Sequence, residues 1–253
     1  TPHGVPPFDK ILPEHFMPAF ERGMSLHEAE IDAITSNKDE ATFENTILAY
    51  DDAGQMLAQT ELVFGMLCAA ETNDRMQALQ EQAMPLLAAH RDKIRLDDKL
   101  FVRVKEVYDR RAALGLDAEQ MRLLQKTYDS FVRAGALLDA EQKARLKEIN
   151  GQLSLTAVKF GNNILAENNN FVLELKSDEL DGLPAGIRDA AREKARQMGK
   201  GDKWVFTLHK PSLIPLLTYS TKRDLREKIY KAYLNRCNNG DEYDNKQLIN
   251  DFI

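Results

Sequence analysis

The stretch DAEQKARLKEINGQLSLTAVKFGNNI, residues 139–164, decides the fold class of this chain. Its apolar residues recur every three or four positions, which places them along one face of a long α-helix. Asp139 precedes the pattern and Gln142 follows three residues later, which is the arrangement of a capping box at a helix N-terminus. The stripe consists of Leu146, Ile149, Leu153, Thr156, Phe160 and Ile164. We therefore predict that the longest helix begins at Asp139 and ends at the turn cluster Asn168–Asn170.

The same periodicity continues through the residues that precede this stretch. Asp117 and Gln120 repeat the capping pattern, and no longer repeat accompanies it, so a solenoid array is not indicated. Pro85 is expected to kink or divide the helix that contains it, and Gly115 suits the left-handed residue that closes a helix. Further helices are predicted over residues 14–37, 42–70, 74–95 and 98–114.

The pattern changes after residue 170. Residues 171–175 and 204–208 are rich in β-branched and aromatic residues and are predicted to form short strands, which could pair around a helix that begins at Pro184. Further helices are predicted over 211–219, over 221–237 and from Asp244 to the last residue, without a stop signal. The fold class is therefore mainly α with one small β element. We predict a long-helix region, 1–170, and a mixed region, 171–253, truncated inside a helix.

Composition excludes several classes of protein. The chain has 253 residues, of which 43% are hydrophobic, a fraction typical of a globular protein and not of a disordered one. Its net charge of −6 does not favour binding to the phosphate backbone of a nucleic acid. No apolar run is long enough to span a bilayer, so a membrane is not expected as a partner. Nucleic acid is not expected either, because of the negative net charge. Cys68 and Cys237 are far apart in sequence and form no thiolate metal motif, although a disulfide between them stays open.

The search for a zinc site considers five histidines, His3, His15, His27, His90 and His209. Two histidines four residues apart on one helix would face a single metal ion, and no pair of these has that spacing. His27-Glu28 is the one His-Glu dipeptide, but Ile31 stands where the second histidine would be required. The prediction is that the chain has no catalytic, cofactor-binding or metal-binding residue of its own.

Other chemistry-bearing motifs receive structural interpretations. No nucleophile elbow or phosphate-binding loop occurs, and Gly199–Gly201 is interpreted as a loop before a strand. Asp51-Asp52 and Asp97-Asp98 are typical of helix surfaces and caps, because adjacency alone does not define an acid-base pair. Tyr219, Tyr230 and Tyr233 could reach a ligand, although packing is favoured for the last two.

Several stretches, taken in order, resemble the thimet-oligopeptidase (neurolysin) family of zinc peptidases, and in particular its peptidyl-dipeptidase branch. Each stretch is short, but their order and spacing are specific, and they extend over essentially the whole chain. They are Pro7–Ile11, His15–Met24, Thr42–Ile47, Arg133–Ala136, Leu153, Phe160–Asn163, Pro211–Leu217, Arg223–Lys228 and Tyr233–Arg236.

The resemblance implies a two-lobed helical peptidase in which a His-Glu-x-x-His helix and a later Glu bind zinc. No residue of this chain matches those positions, so it implies that the chain is the N-terminal, non-catalytic part and that the catalytic half lies beyond Ile253. This part would form the wall of a substrate channel. The implied cofactor is zinc in the parent protein, and the implied partners are oligopeptide substrates and the remaining half of the same chain.

Two alternatives for the function stay open at this point. The parent could be a peptidase that cleaves internal bonds, or the chain could be a helical binding or scaffold module without catalysis. The compartment is predicted to be the cytoplasm, or the periplasm if a signal peptide preceded Thr1.

Overall fold

Helices dominate the computed structural model, which describes residues 2–253. Thr1 lies outside the described residues, and so does the prediction that a signal peptide preceded it. The α-helices are α1 (Phe16–Ser36), α2 (Ala49–Asp52), α3 (Gln55–Ala70), α4 (Asp74–Arg95), α5 (Asp98–Asp109), α6 (Ala118–Arg133), α7 (Ala140–Asn170), α8 (Ala185–Gln197), α9 (Lys210–Tyr219), α10 (Arg223–Leu234) and α11 (Lys246–Phe252). Shorter 3-10 or π-helical turns cover Pro2–Gly4, Pro13–His15, Phe43–Leu48, Arg111–Ala113 and Ser177–Glu179. Because 72% of the chain is helical, the mainly α prediction is confirmed.

Two strands form the one sheet of the described residues, β1 (Leu173–Leu175) and β2 (Trp204–Phe206). They pair antiparallel, with Leu173 opposite Phe206 and Leu175 opposite Trp204, and α8 lies between them in the sequence. The predicted pairing around an inserted helix is therefore confirmed.

The chain divides into two compact units, one ending at Val158 and the other beginning at Lys159. The predicted domain boundary after residue 170 stays a prediction. Two apolar cores lie in the first unit, one centred on Phe101, Val104 and Phe131 and the other on Phe20 and Phe64. The second unit is organised around the inward faces of β1 and β2, packed against α8, α9 and α10.

The capping predictions are confirmed at both sites. Asp117 accepts a hydrogen bond from the backbone N–H of Gln120 at 2.9 Å, and Asp139 accepts one from that of Gln142 at 2.8 Å. The two glutamine side chains bond back to the aspartate N–H groups, which closes each capping box. Gly115 has the predicted left-handed conformation, with a φ of +64°, but it follows the short turn Arg111–Ala113, because α5 already ends at Asp109.

The predicted helix over 42–70 is wrong in one respect, because it is broken at Gly54. This residue has a φ of +78°, and its N–H donates to Glu30 Oε2 at 2.7 Å instead of to a carbonyl of its own helix. Pro85 does not divide α4, since one helix runs through it and gives up a backbone hydrogen bond there. The last turn of α7 contains Asn168–Asn170 and the helix ends at Asn170, as predicted.

Candidate functional site

Two histidines meet inside the first unit. His27 lies on α1 and His90 on α4, and His90 Nε2 is 3.0 Å from His27 Nδ1, which is a hydrogen-bond distance. The His90 side chain is only 3% exposed, whereas His27 is half-buried. Sequence reasoning missed this pair because the two residues are 63 positions apart, and no motif relates them.

Acidic side chains of α1 flank the histidine pair. Glu28 Oε1 lies 3.5 Å from His90 Nδ1, too far for a strong hydrogen bond, and this buried nitrogen has no hydrogen-bond partner. The other Glu28 oxygen is 2.9 Å from Lys93 Nζ. Gly54 lies against the His27 ring, where an added Cβ would come within 3.0 Å of Nδ1. The pair therefore joins α1, α4 and the start of α3.

Burial controls the charge of the pair. Desolvation lowers the pKa of His27, and its proximity to His90 lowers it further, while Glu30 and Glu28 oppose that shift. Desolvation also lowers the pKa of His90 against the attraction of Glu28. A hydrogen bond from Lys93 lowers the pKa of Glu28. At neutral pH the two imidazoles are therefore uncharged and the carboxylate is ionised.

This arrangement does not fit a zinc centre. Ile31, one helical turn after His27, is 3% exposed in the core and supplies no ligand. Glu28 is occupied by Lys93, a cation that would compete with a metal ion. Within residues 2–253 no group of three His, Cys, Asp or Glu side chains could hold a metal ion. No catalytic step can be assigned to a metal held by these residues.

The paired aspartates Asp97-Asp98 have structural roles in helix capping and ion pairing. Asp97 caps α5 by accepting a hydrogen bond from the N–H of Leu100 at 2.8 Å, and Asp98 pairs with Lys143. Packing was favoured for Tyr230 and Tyr233, but Tyr230 is 51% exposed, so that interpretation holds only for the half-buried Tyr233.

The two cysteines are both free thiols. Burial raises the pKa of both, to about 11 at Cys237, where the neighbouring Glu167 carboxylate adds to the shift. Such thiols carry little thiolate at neutral pH, so neither is an activated nucleophile.

An apolar groove of about 860 Å³ also lies in the first unit, between the N-terminal segment and helices α1 and α3. Val5, Phe8, Met56, Leu62 and Met66 line it and are partly exposed. Its lining is mostly apolar, with His15, Gln59 and Thr60 as its polar side chains, so it suits apolar side chains.

Comparison with known proteins gives a consistent result over the whole length. No protein-family model matches the chain. Dipeptidyl carboxypeptidase of Escherichia coli is 36% identical over 98% of the chain, and that of Salmonella typhimurium is 34% identical over the same share. Oligopeptidase A of Escherichia coli is 25% identical over 100% of the chain. These similarities confirm the resemblance to the thimet-oligopeptidase family that the ordered sequence stretches indicated.

Identity is higher to the two dipeptidyl carboxypeptidases than to oligopeptidase A, as the resemblance predicted. The chain spans 37% of the length of either dipeptidyl carboxypeptidase and 38% of oligopeptidase A. Among the described residues no helix is long and apolar enough to cross a membrane.

Proposed function

We propose that this chain is the non-catalytic helical part of a zinc-dependent peptidyl-dipeptidase, which removes dipeptides from the free C-termini of oligopeptides. In this proposal the chain forms part of the substrate-channel wall and restricts access. In this proposal, zinc and the catalytic residues belong to the rest of the parent protein. We place the parent in the cytoplasm.

One observation carries the proposal. The chain aligns over 98% of its length with dipeptidyl carboxypeptidases yet spans 37% of theirs, and it contains no His-Glu-x-x-His sequence. A zinc peptidase needs two histidines on one helix face and an open coordination position for water. Ile31 stands where a zinc motif beginning at His27 would need its second histidine, and His27 instead pairs with His90. Both observations support a catalytic centre elsewhere in the parent.

The test compares the 253-residue chain with the protein made from the complete reading frame. We expect the longer protein to contain one zinc ion per molecule and to release dipeptides in a chelator-sensitive manner, while the chain alone does neither. Dipeptide release by the chain alone would refute its non-catalytic role. Absence of a zinc motif from the complete reading frame would favour the scaffold alternative.

A matched peptide pair separates the two peptidase alternatives. A peptidyl-dipeptidase acts beside a free C-terminal carboxylate, so amidation of that terminus should abolish cleavage. An oligopeptidase that cleaves internal bonds should cleave the free and amidated peptides at similar rates. Equal rates would therefore refute the dipeptidase assignment while keeping the parent a peptidase.

A further inference from the structure

We propose that His27 and His90 form a one-proton lock between α1 and α4, which holds the helices together until both rings are protonated and then releases α4. The proposal rests on the geometry of the pair and is independent of the proposed peptidase function. It assigns a pH-sensitive conformational step to the first unit of the chain.

The facing nitrogens limit how many protons the pair can hold. His90 Nδ1 points towards the Glu28 carboxylate, which favours the tautomer with the proton on that nitrogen. His90 Nε2 is then the acceptor, and His27 Nδ1–H is the donor across the 3.0 Å contact. This leaves His27 Nε2 as the free acceptor of the pair.

A first proton binds at His27 Nε2 and leaves the hydrogen bond between the rings intact. A second proton has only His90 Nε2 available, since the other three nitrogens already carry one. Two N–H groups would then face each other at 3.0 Å, and two imidazolium charges would be in contact. The contact therefore tolerates one added proton and opens with the second.

The surrounding charges do not compensate for the second proton. On α1, Glu28 is paired with Lys93 of α4, and Glu30 accepts the N–H of Gly54. On α3, Glu61 lies 3.7 Å from Arg91 of α4. Each carboxylate near the rings already has a partner. Water does not reach His90 readily either, since its side chain is 3% exposed.

The sign of the pH effect follows from the direction of the shifts. Burial lowers the pKa of both histidines, so the unfolded chain binds more protons than the folded chain just below pH 6.5. The contribution of the pair is complete above that pH and is lost as the pH falls from 6.5 through the lowered values. Leu87 and Ile94, buried on the same helix as His90, would lose packing when α4 separates from α1.

Amide hydrogen exchange on the intact chain tests the lock. Protection factors, corrected for intrinsic exchange, are compared between pH 8 and pH 5 for residues 83–94 of α4 and for α6 as an internal reference. A ring whose pKa falls by one unit on folding changes the opening equilibrium by up to about tenfold. We expect protection in α4 to fall by about tenfold or more relative to α6.

The variants separate the lock from general acid sensitivity. The double variant His27→Gln/His90→Gln keeps neutral amides at both positions and should abolish most of the pH dependence in α4. His209→Gln removes an exposed histidine of the second unit and should leave that dependence unchanged. Unchanged protection in the unsubstituted chain, or a loss that persists in the double variant, would overturn the proposal.

Titration of the wild-type rings gives a second measurement that does not depend on a variant folding. The nitrogen chemical shifts should show His27 Nε2 taking up the first proton while His90 stays neutral. Protonation of His90 should occur only together with the loss of protection in α4. If the two rings titrate independently while the amides of α4 stay protected, the lock is excluded.

Discussion

Gly182 lies in the turn between β1 and α8, and replacing it with alanine tests how this turn is built. Its φ is +83°, a conformation that L-residues adopt only with strain. An added Cβ would come closer to the carbonyl oxygen of Tyr219 than van der Waals contact allows, and within 3.0 Å of the backbone N of Thr221. Thr221 N donates to the Asp181 carbonyl at 3.1 Å, so the atoms that would have to move belong to a hydrogen-bonded backbone contact.

Two costs combine in Gly182→Ala. The left-handed conformation costs about 1–2 kcal/mol for an alanine, and relieving the backbone clash costs about as much again or more, as overpacking does in a core. We expect a loss of about 3 kcal/mol or more in the free energy of unfolding of the second unit. Trp204, the single tryptophan, lies in β2 and reports on this unit by fluorescence during urea denaturation.

Gly186→Ala provides the matched control, because Gly186 lies four residues away in α8 with no atom near the position of an added Cβ. Alanine there should stabilise the unit by up to about 1 kcal/mol, owing to its higher helix propensity. If Gly182→Ala unfolds within about 0.5 kcal/mol of the unsubstituted chain, the turn is not constrained as described.

Arg103→Met should destabilise the first unit by about 3 kcal/mol in urea denaturation, because the buried guanidinium donates to the carbonyls of Asn37 and Asp39. A loss below about 1 kcal/mol would show that water replaces it. Cys237 should react with a thiol reagent at pH 8 far more slowly in the folded chain than in denaturant, since burial raises its pKa to about 11. Equal rates would contradict its burial. Residues 246–253 should exchange their amide hydrogens rapidly in a monomer, because none is buried. Strong protection would reveal a partner surface for α11.

The helices and their ends could be predicted because their causes are local. Asp117 and Asp139 begin α6 and α7 through side-chain bonds to residues three positions ahead, which a sequence displays directly. Pairing of the two strands was also accessible, since each strand has a recognisable β pattern. The register of the pairing could not be predicted, because packing in the second unit decides that Leu173 lies opposite Phe206.

The break at Gly54 could not be predicted from residues 42–70, where the apolar spacing fits one continuous helix. Its cause is Glu30, which accepts the Gly54 N–H from a different helix, and the ring of His27, which occupies the space of a side chain at Gly54. Considered from residues 42–70 alone, a residue with high helix propensity would fit at position 54 without any loss of stability. The requirement for glycine therefore exists only in the folded structure.

The histidine pair shows the same limit in the candidate site. His27 was assessed by its neighbours in sequence, where Ile31 argues against a zinc motif. Its decisive neighbour is His90, which reaches it only because α1 and α4 pack together. Local spacing can exclude a motif that belongs to one helix, but it does not report on a pair formed between two helices. A lone histidine in a helical sequence therefore needs the tertiary structure before its protonation can be interpreted, and here that structure turns two unrelated histidines into one coupled group.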